Sequence, residues 1–410
     1  MSPQTTLAEL IAREYRQRLV VDRLGQEVYS LPNPAASPLL PELAAAEQAL
    51  SATARGRARL QARDPRSGLV LDTSRGNNLL GPRTTGLEIQ VRMRMAQVPT
   101  SIAHLLDRQE HPLVAYTVHN ARENRAARLR ITSFIEGYSA QAVDTVELDP
   151  HKRPAVIGQF PILFPERLRQ VTELTRATLH TMVEDIDEKL ELHQTVPVWL
   201  LARTTAPLAV LDPATGQWQD MTPYFGAFVT PNAPPIMAFL RTVAGLHPRE
   251  RLVGYQGGKE VVEPQVRAVF EALKQANITY IHSVISFIPE RDMTTQRVRL
   301  PRESLAGGEA NCIDGTVLFA SLLEAISLSP ALVIVPGHAL VAWETADGNG
   351  EWLYLETTMI STSSFDDACT SAGETAELYR SLAQTTQSPE LFRQWPLRVL
   401  RTERGITPME

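Results

Sequence analysis

The sequence predicts an α+β chain in which an all-β middle is flanked by helical and mixed segments. Three observations carry this reading. Between residues 87 and 230, short segments with β-branched and apolar alternation recur between turn-rich clusters. Before them, and again at 263–276, apolar residues return at helical spacing. Toward the end, a run apolar on nearly every side precedes two apolar strands separated by a polar turn, the order of a buried helix followed by a hairpin.

Residues 4–20, with Leu7, Leu10, Ile11 and Tyr15 near helical spacing, are expected to form an amphipathic helix. A Pro-rich break, LPNPAASPLLPE at 31–42, precedes an Ala- and Arg-rich stretch, 42–63, expected to be a second helix. Residues 64–86, with RDPRSG, SRGNN and GPRTTG, read as loop, which makes 1–86 a helical and loop segment. The strand-like segments are LEIQVRMRM, LVAYTVHN, ARLRITSFIEG, ATLHTMVED and TVPVWLLARTT, punctuated by NARENRA, LDPHKRP and DPATGQ. They imply a β-sandwich over 87–235, most simply an immunoglobulin-like one, closed by the Pro-rich stretch 221–240. No Cys…Trp…Cys core signature accompanies it. The third domain, 236–410, opens with helical texture: EPQVRAVFEALKQA puts Val266, Val269, Phe270 and Leu273 on one stripe. A short strand, TYIHSVISF, and a loop at 289–303 lead to residues 308–358, and a helical extension ends the chain.

Composition narrows the function. A net charge of −6 and 21% charged residues give no basic surface for nucleic acid. The N-terminus interleaves charges with apolar residues, unlike a secretion signal, and no apolar run approaches the roughly 20 residues that span a bilayer. A cytoplasmic protein without membrane partners is expected. Two cysteines, Cys312 and Cys369, make no disulfide framework and no Cys-rich zinc site, and suit a reducing compartment. GYQGGKEV at 254–261 lacks the Gly at 253 and the Ser or Thr at 260 that a phosphate loop needs. No metal or cofactor motif is found, so none is expected.

Cys312 falls in the first turn of the apolar run, after Gly307, Gly308 and Asn311. A thiol there faces the positive end of the helix dipole, which favours the thiolate, and unpaired N–H groups that can receive an oxyanion. A lone Cys is more often a small buried hydrophobe; placement separates the two readings. His338 follows the Pro336–Gly337 turn and opens the strand HALVAWE, and Glu356 lies beyond the DGNGE turn in EWLYLETT. A hairpin centred on Asp347 sets His338 directly opposite Glu356, so that the carboxylate holds the imidazole in the tautomer that accepts the thiol proton. A one-residue slip separates them onto opposite faces. Asp314 suits the helix N-terminus, Trp343 and Trp352 suit core packing or a substrate wall, and Cys369 reads as a bystander after a loop.

At these residues the chain resembles the transglutaminase-like superfamily of papain-type folds. GEANCIDGTVLFASLLEAI looks like that family's Cys-helix, VPGHALVAW its His strand and WLYLETT its acidic strand, while TTQRVRLPRESL resembles a Gln-x-x-Arg-x-Pro lead-in. The resemblance covers roughly 240–365 and implies a Cys312–His338–Glu356 triad, with Glu356 where the family usually has Asp. It also makes Gln296 the candidate side-chain oxyanion donor. The implied function is acyl transfer at protein or peptide amides: a cysteine protease first, a transglutaminase or glutamine deamidase as the alternative. The rival from another class is a catalytically weak peptide-binding module, its sandwich meeting a regulatory protein.

Overall fold

Helices and strands both contribute heavily, 37% and 30% of the chain, which places it in the α+β class. The computed structural model describes residues 37–63, 70–72, 86–95, 97–150, 152–187, 190–212, 217–281 and 293–409, with single residues between 13 and 28. The helix expected at 4–20 and most of the strand TYIHSVISF lie outside them. Among the described residues, no helix is long and apolar enough to cross a membrane.

Two compact units divide the chain: Arg59–Gln219 with Phe287–Thr295, and Met1–Ala58 with Asp220–Ser286 and Gln296–Glu410. This partition differs from the expected 1–86, 87–235 and 236–410. The Pro-rich stretch falls with the second unit, where the reason is burial. Phe225 and Phe228 are almost wholly covered, Ser321 Oγ accepts from the Thr230 N–H at 3.0 Å, and Arg401 donates to the carbonyls of Gly226 and Val229.

The first unit is built on two sheets. One orders β1 (Val70–Asp72), β2 (Leu87–Met93), β4 (Val114–Asn120) and β7 (Ala155–Gln159). The other orders β3 (Gln97–Val98), β9 (Leu190–Leu200), β8 (Thr175–Asp185), β5 (Ala127–Ile135) and β6 (Ala142–Leu148). The five segments expected as strands all appear, and β1 corrects the loop expected over 64–86: it pairs antiparallel with β2, so its backbone groups enter a ladder. Tyr116 of β4 and Gln159 of β7 donate to the carbonyls of Thr132 and Ile131 on β5, so the sheets pack face to face. β10 (Thr205–Asp212) and β11 (Gln217–Asp220) follow as a hairpin.

The second unit wraps helices around an antiparallel sheet ordered β17-β16-β15-β18. Its helices are α1 (Leu40–Arg63), α2 (Pro234–Leu246), α3 (Val262–Gln275), α4 (Pro301–Gly307), α5 (Cys312–Ala325), α6 (Phe365–Thr386) and α7 (Leu397–Thr402). Its strands are β12 (Thr279–Tyr280), the last two residues of β13 (Met293–Arg297, the rest of which falls with the first unit), β14 (Glu309–Ala310), β15 (Pro330–Val335), β16 (His338–Glu344), β17 (Trp352–Leu355) and β18 (Arg393–Pro396). The loop expected at 289–303 therefore holds a strand and the start of a helix. The α3 stripe Val266, Val269, Phe270 and Leu273 is fully buried, and α5 is buried continuously from Ile313 to Leu323, as its all-round apolarity requires.

Along one face of the sheet, Ala331, Val333 and Leu340 meet Leu40, Leu43 and Ala44 of α1 in a single core. GYQGGKEV is a structural turn. The buried Gln265 carboxamide accepts from the N–H groups of Val253 and Gly254 and donates to the carbonyls of Gly254 and Val261, using all its capacity. Trp343 is buried against Phe365 and Trp352 packs on the same core as α1, so both tryptophans serve packing.

Candidate active site

The site is assembled from the ends of α5, β16 and β17. Helix α5 starts where it does because Asn311 caps it: the Asn311 side chain accepts from the Asp314 N–H at 2.8 Å, and Asp314 Oδ2 accepts from the Asn311 N–H at 3.1 Å. Gly308, in the left-handed region at φ 67°, ends α4 and turns the chain toward that cap. Cys312 is thereby the first residue of a helix whose opening N–H groups have no acceptor within the helix.

Asp314 is wholly buried, and Arg299 answers its charge: the Arg299 N–H donates at 2.7 Å to Oδ1 and Nη1 at 2.9 Å to Oδ2. Arg299 Nη2 also holds Glu309 at 2.6 Å. Burial raises the Asp314 pKa even though Arg299 and the backbone donors pull it down. Arg299 thus pins the first turn of α5 through Asp314.

His338 Nε2 and Glu356 Oε2 are 2.6 Å apart, with the two side chains 1% and 0% exposed. The other carboxylate oxygen accepts from the Thr358 N–H at 3.0 Å and its hydroxyl at 2.6 Å. Cys312 lies close enough to the same imidazole to raise its pKa. Burial opposes the imidazolium, but the Glu356 charge, the nearby Cys312 and the bond to Glu356 outweigh it and raise the His338 pKa to about 10. Cys312 is the one partly exposed member of the three.

The register differs from the one expected. β16 and β17 pair Val341 with Leu355 and Glu344 with Trp352, so extending the ladder sets His338 opposite Thr358, two residues past Glu356. The turn is centred one residue late because the Glu344 carboxylate accepts from the N–H groups of Gly348 and Gly350, both at positive φ. A two-residue displacement keeps Glu356 on the His338 face but moves it to the diagonal, about 7–8 Å away between Cα atoms. The extra methylene of Glu over Asp spans that distance.

Thr357 closes the site from beneath. Its hydroxyl and that of Thr316 both donate to the Cys312 carbonyl, at 3.4 and 2.8 Å. A Cβ on Gly315 would lie 2.7 Å from Thr357 Oγ1 and 3.0 Å from its Cβ. Gly315→Ala gains about 1 kcal/mol of helix propensity and loses about 1–3 kcal/mol to overpacking. The expected result in urea denaturation is a net loss of stability, together with slower alkylation of Cys312 as Thr357 and its neighbour Glu356 are displaced.

Gln296 lies on β13, where its Nε2 donates to the Arg297 carbonyl at 3.1 Å; the triad contacts do not include it. Instead Tyr280 of β12 stands near Cys312 and Glu356. Burial, then the charges of Cys312 and Glu356, raise its phenol above the ordinary range. The signal available beforehand was the strand TYIHSVISF, whose partner β14 could not be identified from the sequence. Cys369 sits within helix α6 and not after a loop; burial first, then Asp366 and Glu263, push its thiol up to about 12. In comparisons with known proteins, no family model, no curated protein and no solved structure matches the chain.

Proposed function

We propose that this chain is a cysteine-nucleophile acyl-transfer enzyme acting on protein or peptide amides. More finely, it is a cytoplasmic cysteine peptidase with a papain-type, transglutaminase-like catalytic domain and an immunoglobulin-like sandwich. The observation that carries the reading is the buried imidazole of His338, held by Glu356 on one nitrogen and close to Cys312 at a helix start.

With the thiol proton held on His338 as imidazolium, Cys312 Sγ adds to the amide carbonyl. The tetrahedral intermediate collapses to a thioester as the amine leaves with the proton from His338. Water then attacks the thioester with His338 as base, returning the thiol and a carboxylic acid. Glu356 holds the imidazole in place. A glutamine carboxamide substrate turns the same sequence into deamidation, and a lysine amine in place of water turns it into crosslinking.

The test is iodoacetamide labelling of the full chain near neutral pH. Cys312 is expected to react at least about tenfold faster than Cys369, and His338→Ala to remove the difference. Equal rates in the parent, unmoved by His338→Ala, reject the reading and leave the peptide-binding module. Incubation of the parent and Cys312→Ala with a proteome then separates subclasses. New N-termini mark proteolysis, Gln-to-Glu conversion marks deamidation, and Gln–Lys linkages mark crosslinking.

A further inference from the structure

Glu356 has one more side-chain torsion than an aspartate, so its carboxylate stays on His338 only if something holds the extra joint. Bulk water does not, because the side chain is wholly buried. The backbone around it is tied on both sides. The Glu356 N–H donates to the Ala368 carbonyl of α6 at 3.2 Å, and the Glu356 carbonyl accepts from the Met359 N–H at 3.3 Å. The second bond belongs to the 3₁₀ turn Thr357–Met359, which the Glu356 side chain caps.

Cap positions favour Ser, Thr, Asp and Asn, whose short side chains reach the next N–H groups directly. Glu356 makes the same reach with Oε1, which accepts the Thr358 N–H at 3.0 Å and the Thr358 hydroxyl at 2.6 Å. Oε2 meets His338 Nε2 at 2.6 Å. One residue therefore clamps one oxygen while the other faces the imidazole. The β16–β17 register gives the clamp its direction. Extending the ladder sets Thr358 opposite His338 and Glu356 on the diagonal, so a carboxylate drawn toward Thr358 is drawn along the strand toward the imidazole. The neighbouring Thr357 hydroxyl is turned instead to the Cys312 carbonyl.

We propose that Thr358 is a positioning residue of this site: its hydroxyl fixes the Glu356 carboxylate against His338, and through it sets how readily the imidazole holds the Cys312 proton. Thr358 acts through Glu356, and its own proton stays on Oγ1 throughout. The inference rests on the acyl-transfer reading above.

The experiment follows alkylation of Cys312 by iodoacetamide in the full chain from acidic to alkaline pH, with Cys369 as the internal reference. The readout is the pH at which Cys312 reaches half its maximal rate. Thr358→Val keeps the side-chain shape and the N–H donor but removes the hydroxyl. It is expected to raise that pH by about one unit, the scale of one hydrogen bond to a charged group. Thr358→Ser, which restores the hydroxyl but not the methyl group, is expected to return it to the parental value, a rescue that a merely structural role would not give. A Val variant with the parental profile overturns the proposal, and so does a Ser variant displaced as far as Val. If melting shows that Thr358→Val does not fold, Thr358→Ala serves as the hydroxyl-free variant; a profile above that of Ser supports the proposal and equal profiles overturn it. A parent whose Cys312 becomes reactive at no lower pH than Cys369 rejects the acyl-transfer reading itself, and this proposal with it.

Discussion

Replacing Glu356 by Gln is expected to slow acylation of Cys312 by about 10³- to 10⁴-fold, the scale on which an orienting carboxylate acts through its histidine. The amide retains the shape and the Oε1 acceptor that Thr358 uses, but it removes the charge that stabilises the imidazolium. The same change alters how stability depends on pH. In the parent the folded pKa of His338 is raised to about 10, against about 6.5 for an unfolded histidine. Its contribution is complete below about 6.5 and is lost as pH rises toward about 10, because over that window the folded state holds a proton the unfolded state has released. Urea denaturation across the lower part of this range, in a Cys312→Ser background that also removes the Cys312 share of the shift, is expected to show stability declining with pH. Glu356→Gln flattens that decline. An equal slope in both proteins contradicts the assignment of Glu356 as the source of the shift.

The second large effect is expected at Arg299, outside the triad. Arg299→Met leaves the Asp314 carboxylate with its backbone donors but no counter-charge, at a position that is fully buried. Breaking a buried pair from one side costs about 3–5 kcal/mol. Asp314→Asn in the same chain recovers part of the loss, because it removes the stranded charge and keeps a side-chain acceptor for the Asn311 N–H. Urea denaturation of the two single variants and the double variant measures the coupling. Because the pair anchors the turn that presents Cys312, Arg299→Met also slows alkylation of the thiol at urea concentrations where the fold persists.

The placement of the candidate residues was more legible in the sequence than the boundaries around them. Cys312 at a helix start, His338 at a strand start and Glu356 beyond a polar turn all follow from periodicity, since the helix is apolar all round and the strands are short and β-branched. The register between His338 and Glu356 was not legible. It depends on the Glu344 carboxylate gathering the N–H groups of Gly348 and Gly350, a side-chain effect that turn composition alone does not announce. Gln296 was placed by motif resemblance and Tyr280 was passed over, because a two-residue parallel pairing such as β12 with β14 leaves almost no periodic signal. The Pro-rich stretch after residue 220 marks a break in texture in either reading. Which unit it joins is decided by tertiary partners, above all Arg401 and Ser321, that lie far along the chain.

The core shared by α1 and the sheet has a consequence for how the chain is made. Leu40, Leu43 and Ala44 leave the ribosome early, yet the surface they cover includes Ala331, Val333 and Leu340. The strands β1 to β9 are synthesised in between. At roughly 5–20 residues per second, the apolar stripe of α1 waits on the order of 15–60 s for its partner. The inserted unit can close its own sheets during that delay, while the nascent helix remains a hydrophobic surface for a holding chaperone to shield.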